Sequence, residues 1–341
     1  MNNLKRALKI GAAALMAAIT ALSLTGCAKE TTATGTQTIT IYSGRSEDLI
    51  APLLEQFTAE TGIGVKVRYS DSASLAAQIL EEGDNVKADV FFSQDAGALG
   101  AVSQAGVFKK LNDDIGPLVE AKYRSTDNTW IGVSGRSRVL SYNPTLVSAA
   151  ELPQSVFDLA RPEWKGKIAI APTNASFQTS VTAMRILKGE AATVQWLAAM
   201  KENAVLFEKN SQILEAVEAG QVAAGLINHY YWYERAAEVG EDKMISKFAW
   251  FENGDAGNLI NVAGVGVLSD KPEAQTFAKW LLGNSAQTFF VEQTAEYSLT
   301  GLPARKGLPA LDEIASPKID LSSLSTLAET LELIRNARLT D

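Results

Sequence analysis

The chain has 341 residues, 46% of them hydrophobic and 21% charged, with 39 acidic against 31 basic side chains and a formal net charge of −8. That length exceeds what one hydrophobic core usually organises and predicts two lobes, while the acidic balance argues against nucleic acid as a partner. Cys27 is the single cysteine, so no disulfide within the chain holds the fold together.

Lys5, Arg6 and Lys9 precede an uncharged run from Ile10 to Leu22, followed by Leu24-Thr25-Gly26-Cys27. A basic start, a short apolar run and small residues before the cysteine predict a lipoprotein signal peptide over residues 1–26. The apolar run is too short for a membrane span, which takes roughly 20 residues. Cleavage before Cys27 would leave it to be acylated, anchoring a mature chain of about 315 residues outside the cytoplasm, in the periplasm or on the outer face of the membrane. It removes three positive charges and no negative ones, taking −8 to about −11. The stretch from Glu30 to Gln37 is Thr-rich and lacks large apolar residues, so residues 27–37 read as a tether.

An alternation of short apolar runs and amphipathic stretches follows. Ile39, Ile41 and Tyr42 read as a strand; Leu49, Leu53, Leu54 and Phe57 stand at helical spacing, and Gly62 stops that helix. Val65-Lys66-Val67 is a second strand, Leu75–Leu80 a second helix, and Ala88–Ser93 a buried strand. This βαβαβ order predicts a parallel sheet covered by helices. The pattern restarts with a strand at Lys167–Ile170, helices at Ser176–Lys188 and Ala191–Asn203, and a helix Ser211–Ala219 with Asn210 as N-cap and Gly220 as stop. The strand Val222–Ile227 closes it. Two β-rich segments, Trp130–Tyr142 and Leu259–Leu268, bracket this second unit as crossovers. The chain is therefore expected to form two doubly wound α/β lobes: residues 38–135 with 263–308, and 136–262 with 309–341. Ligands of such sheets bind outside the carboxyl ends of strands.

Asn228-His229-Tyr230-Tyr231-Trp232-Tyr233 is the most unusual run. Phenolate oxygen is a hard donor suited to Fe(III), as in the tyrosine-ligated haem of catalase. A free phenol titrates near 10, yet a multivalent cation displaces its proton. Neighbouring residues diverge on a strand or a helix, so Tyr230 and Tyr231 are expected at a turn between a strand ending at Ile227 and a helix resuming at Trp232. A packed aromatic cluster or a stacking platform for a sugar is the alternative reading of these rings.

Six segments together resemble a known family. They are Tyr42-Ser43-Gly44-Arg45, Gly83-Asp84 leading to Ala88-Asp89-Val90-Phe91, Ser134-Gly135-Arg136-Ser137-Arg138-Val139, Ala171-Pro172-Thr173, Asn210-Ser211 and Asn228–Tyr233. In this order they resemble the ferric-iron-binding proteins of ABC import systems, within the type II periplasmic-binding fold. The resemblance implies Fe(III) as cargo, a synergistic anion such as carbonate or phosphate, and delivery by a monomer to a permease with a cytoplasmic ATPase. It maps the paired ligands onto Tyr230 and Tyr231 and, in one subgroup, a third onto Tyr142, which is otherwise a strand-end aromatic. Its anion contacts fall on Asn174, Ala175, Ser176, Asn210 and Asn228. Asn174-Ala175-Ser176 opens a helix, where free N–H groups bind anions, although Asn or Ser there is as often a plain N-cap. Arg45 would add a bidentate fork to the anion, unless it is only an exposed loop arginine.

The sequence departs from the family at Ser46, Glu47 and Gln94, where other members carry histidine, tyrosine or glutamate ligands. Ser46-Glu47-Asp48 reads as a helix cap with acidic first-turn residues, which leaves the expected site mainly on the second lobe. The single histidine, His229, stands where the family has no ligand. Thiamine, polyamine, phosphonate or sugar binding on the same fold is the alternative, since fold does not fix function. With one histidine, no Gly-x-Ser-x-Gly elbow, no paired metal-histidine motif and no P-loop, the sequence argues against an enzyme.

Overall fold

The computed structural model describes residues 37–340 apart from Asn253. The expected signal peptide, Cys27 and all of the tether but Gln37 lie outside the described residues. Strand β1 (Thr38–Ser43) buries Ile39 and Ile41 and leads into α1 (Glu47–Thr61), whose apolar face is Ile50, Leu53, Leu54 and Phe57. Gly62 ends α1 in the left-handed region at φ 73°, its N–H donating to Thr58 O, as the sequence predicts. β2 (Gly64–Tyr69), α2 (Ser72–Glu82, capped by the Asp71 carboxylate), β3 (Val90–Ser93) and α3 (Ala96–Gln104, capped by Asp95) complete the first βαβαβ run.

The long strand β4 (Trp130–Tyr142) matches its predicted limits and is buried throughout. After it come β5 (Ile168–Ile170), α4 (Ala175–Lys188), α5 (Glu190–Asn203), β6 (Ala204–Leu206), α6 (Asn210–Glu218), β7 (Ala224–Asn228) and α7 (His229–Val239). Then follow β8 (Lys247–Ala249), β9 (Ile260–Val267), α8 (Pro272–Trp280), α9 (Asn284–Glu292), β10 (Tyr297–Ser298) and α10 (Leu327–Asn336).

Several boundaries shift by one to three residues from the expectation, and two of the shifts bear on the site. Asn210 is the first residue of α6 rather than its cap; Lys209 takes the cap position, and Gln212 Oε1 accepts the Lys209 N–H. More consequentially, α7 begins at His229 and not at Trp232, because Asn228, at φ −87° and ψ 146°, is already the last extended residue.

Strand order explains how the halves join. β1 is flanked in parallel by β2 and β3, and β5 likewise by β6 and β7. Each triplet is extended by one antiparallel strand, β9 beside β3 and β4 beside β7. The continuous order is β2-β1-β3-β9-β4-β7-β5-β6, with β8 and β10 pairing onto β4. β4 makes this possible: Trp130–Ser137 pair with β9, while Arg138–Tyr142 pair with β7.

The apolar side chains gather on both sides of that change of partner. One core joins β1, β3 and β9 to α1, α3, α8 and α9 through residues such as Phe57, Phe92, Leu99 and Phe277. Beyond it, Leu140, Phe177, Trp196 and Leu226 form a core on one face of the β4-β7-β5 sheet, and Val139, Ile213, Ile227 and Tyr230 form another on the opposite face. The segment 309–341 contributes to both sides. Ile314, Leu321 and Leu324 pack in the first core, and Ile334 and Leu339 in the second. The α10 residue Thr330 shares a buried hydroxyl pair with Thr182 of α4 at 2.8 Å.

Candidate metal centre

Tyr230 and Tyr231 occupy the first turn of α7, beyond the carboxyl end of β7. The placement corrects the expectation of an irregular turn: α-helical residues diverge by about 100°, yet here the rings stack at 4.4 Å between centroids and 30° between planes. Tyr230 is 2% exposed and packs in the core with Val139 and Ile227. Tyr231 is partly exposed and faces a cleft of about 910 Å³ that is also lined by Arg45, Gln94, Asn174, Lys209 and Glu234.

What precedes the pair fixes it. His229 is fully buried; its Nδ1 accepts the Ser137 N–H at 3.2 Å, and its Nε2–H donates to Ala295 O at 2.8 Å. Burial holds its pKa down at about 4, so the imidazole is neutral at physiological pH. With both nitrogens engaged, His229 has no lone pair for a metal. Ala295 itself adopts a left-handed conformation at φ 52°, uncommon for a non-glycine residue. The same tight turn presents Glu296, whose carboxylate receives Arg45 Nη1 at 2.7 Å and Nη2 at 2.8 Å, Ser134 Oγ at 3.1 Å and Thr294 Oγ1 at 3.2 Å.

This overturns the reading of Arg45 as an exposed loop residue or as a fork held open for an anion. It is 1% exposed and its two terminal nitrogens are closed on Glu296, leaving Nε without a hydrogen-bond partner among the described residues. Against the cost of burial, Glu296 holds the Arg45 pKa up and Arg45 holds the Glu296 carboxyl below its usual range.

The other expected anion contacts come together at the start of α4. Asn174 caps the helix by accepting the Ser176 N–H at 3.0 Å and also accepts Asn210 Nδ2 at 3.3 Å. Asn228 Nδ2 donates to Ser176 Oγ at 3.0 Å, and Asn228 Oδ1 accepts Arg138 Nη1 at 3.3 Å. Asn174, Ser176, Asn210 and Asn228 are thus tied in pairs, with Ala175 between the first two as the opening residue of α4. The plain N-cap reading of Asn174 holds as well.

Tyr142 is not brought to the pair. It lies opposite Ala224, at the far end of β7 from Asn228, four residues or about 13 Å along the strand from Arg138. Its ring packs with Leu140 and Leu226 in the core on one face of the sheet, whereas Tyr230 belongs to the core on the other. Tyr142 and Arg138 share a face of β4, and it is the length of strand between them and the core its ring joins that separate Tyr142 from the pair.

Three buried arginines, Arg45, Arg136 and Arg138, lie around the tyrosine pair, each within a segment that carries the family resemblance. Arg138, besides holding Asn228, donates to Leu226 O at 3.0 Å, and burial lowers its pKa to about 10. Arg136 is 0% exposed and none of its three guanidinium nitrogens has a hydrogen-bond partner among the described residues. Burial raises the pKa of Tyr230 well above the phenolic value, with the Tyr231 charge acting the same way and Arg136 and Arg45 opposing. Burial likewise raises Tyr231, while hydrogen bonding to Tyr230 pulls it down. Glu234, one turn along α7, is lifted to about 7 by burial and by Glu296. Among the described residues no group of three or more His, Cys, Asp or Glu side chains is placed to hold a metal; the cleft lining offers the phenols of Tyr69 and Tyr231 and the separate carboxyl groups of Asp48, Asp71, Glu234 and Glu238. Glu296 and Glu234 had no local signature in the sequence; Arg136 and Arg138 had one, their alternate spacing on a predicted strand.

The fold and the cleft define a class. Residues 85–319 match the family described as bacterial extracellular solute-binding proteins, and the chain belongs to that family. It is 38% identical over 312 residues to the Fe(3+)-binding periplasmic protein of Serratia marcescens, covering 90% of this chain and 92% of that protein. The crystal structure of iron-bound HitA from Pseudomonas aeruginosa superposes with a TM-score of 0.85 at 35% identity, over 88% of this chain and 99% of HitA. The Trichodesmium protein IdiA (FutA), solved with iron and citrate ligands, gives 0.72 at 26% identity, over 89% and 100%. These neighbours bear out the type II periplasmic-binding fold and the resemblance to ferric-iron-binding proteins.

Proposed function

We propose that this chain captures ferric iron outside the cytoplasmic membrane, through the phenolate oxygens of Tyr230 and Tyr231, and hands it to an ABC permease driven by a cytoplasmic ATPase. The observation that carries the reading is the stacked tyrosine pair at the mouth of a cleft, beside buried cationic groups that offset phenolate charge. In the metal-free chain both phenols hold their protons, so binding is an exchange in which a trivalent cation displaces them. Asn174, Ala175, Ser176, Asn210 and Asn228 would hold a carbonate or phosphate that completes the coordination, with Arg45 supporting the site from the other side of the cleft through its charge.

Residues 38–135 with 263–308, and 136–262 with most of the remainder, act as lobes that bend about β4 and β9 to close on the cargo, a hinge motion of the kind known in binding proteins. Cys27, acylated after signal cleavage, tethers the protein to the membrane as a monomer with no catalytic activity of its own. The relatives' names support the cargo, and the change of partner along β4 supports the hinge. The test is to mix purified metal-free protein with ferric citrate and record the phenolate-to-iron charge-transfer band in the visible range. Its absence, or its persistence after Tyr230→Phe with Tyr231→Phe, overturns the assignment.

A further inference from the structure

The helix that bears the tyrosine pair brings a third oxygen side chain to the same place. Glu234 stands three residues after Tyr231 and four after Tyr230 on α7, the spacings at which helix residues share a face, about 5–6 Å apart at Cβ. Its charge reaches both phenols, and it lines the same cleft as Tyr231.

Glu234 also differs from the other carboxyl groups of that lining. Asp48, Asp71 and Glu238 are exposed, whereas Glu234 is half-buried. Asp71 Oδ1 caps α2 by accepting the Ser74 N–H at 2.8 Å, and Glu238 Oε2 accepts Arg235 Nη1 at 2.9 Å. No hydrogen bond or ion pair engages Glu234 among the described residues, because Arg235 is taken by Glu238 and Arg45 by Glu296. A carboxylate drawn out of water without a counterion is costly. A cation entering from the cleft offsets that cost, and a hard trivalent ion suits carboxylate and phenolate oxygens alike. Two phenolates and one carboxylate together neutralise the charge of Fe(III).

We propose that Glu234 is a direct donor to the cargo, one carboxylate oxygen binding the ferric ion alongside the oxygens of Tyr230 and Tyr231. The proposal rests on the ferric reading and goes beyond it, at a position onto which the family resemblance maps no ligand. All three donors come from the first two turns of one helix, a rigid element, so the ion is held on α7 without waiting for the cleft to close.

The experiment compares wild type with Glu234→Gln, by ferric affinity in chelator competition and by the position of the phenolate-to-iron charge-transfer band. Circular dichroism and the iron-free melting temperature check folding. An amide is a weaker donor without charge, and the more electron-poor iron it leaves takes an electron from phenolate at lower energy. The Gln variant is therefore expected to bind iron at least about tenfold more weakly, with its band at longer wavelength. An affinity within twofold of wild type overturns the proposal. A weaker affinity with an unmoved band also overturns it, since Glu234 then acts from outside the coordination sphere. If the Gln variant does not fold, Glu234→Asp decides, because it keeps the charge and withdraws the oxygens by one methylene. A threefold or greater loss with a moved band supports direct binding, and an unchanged affinity and band overturn it. Wild type without a charge-transfer band brings down the ferric reading and this proposal together; wild type with the band, matched by the Gln variant, brings down only the assignment of Glu234.

Discussion

Arg45 and Glu296, 251 residues apart in the chain, meet in a two-pronged and fully buried ion pair that ties the loop after β1 to the turn before β10. Removing one partner leaves the other charged and dry. Glu296→Gln is expected to cost about 3–5 kcal/mol of unfolding free energy in a urea titration, and a loss below ~1 kcal/mol would contradict the pairing described. The sign of the pH effect follows from the depressed Glu296 pKa. The pair stabilises the fold above the ordinary carboxyl range, and that contribution disappears as pH falls below about 4 through the folded-state pKa.

The proposed site makes different demands on the three tyrosines. Tyr230→Phe and Tyr231→Phe are each expected to lower ferric affinity by at least the ~100-fold that loss of an outer-shell partner can cost, measured by competition with a chelator. Tyr142→Phe is expected to leave both affinity and the charge-transfer band unchanged, because its ring is on the other face of the sheet. A weakened band in the Tyr142 variant would reinstate it as a ligand.

Because burial raises both phenols, metal uptake must release protons. Ferric affinity is therefore expected to fall as pH falls, with a slope approaching two protons per iron at neutral pH. Measured against a chelator whose own protonation is corrected for, a slope of zero would show that the phenols do not ionise on binding.

His229 makes the iron-free fold sensitive to acid in a different range. Its folded pKa of about 4 lies below the unfolded value of 6.5. Between those values the unfolded chain takes up a proton that the native one refuses, so stability rises with pH from about 4 to 6.5 and is constant above, for this group. The full effect is about 3 kcal/mol, each pKa unit counting for ~1.4 kcal/mol. His229→Gln is expected to flatten that part of the melting-temperature profile, and an identical slope in the variant would assign it to other groups.

Much of the architecture was open to reading from the linear pattern, because local chemistry sets it. Gly62 ends α1 where a left-handed residue is needed, and Asn143-Pro144 follows immediately on the end of β4 at Tyr142. The start of α7 differs from the expectation because the Asn228 side chain, at the cap position, is spent on Ser176 and Arg138 and not on a capping bond, and four aromatic residues do not announce a helix; the close of β7 at Asn228 decides it. Tyr230 and Tyr231 stood out as a pair. The environment of Arg45 did not, because its partner lies nearly the whole chain away and nothing beside Glu296 marks it. Tyr142 lies four residues along β4 from Arg138 and its ring joins a different core from Tyr230, a separation that the linear sequence does not display.

The segment that packs Leu321 and Leu324 against one core and Ile334 and Leu339 against another is a single stretch of chain fastened to both interiors. Neither interior is complete without those side chains, so peeling that one stretch away would open both at once and couple their unfolding.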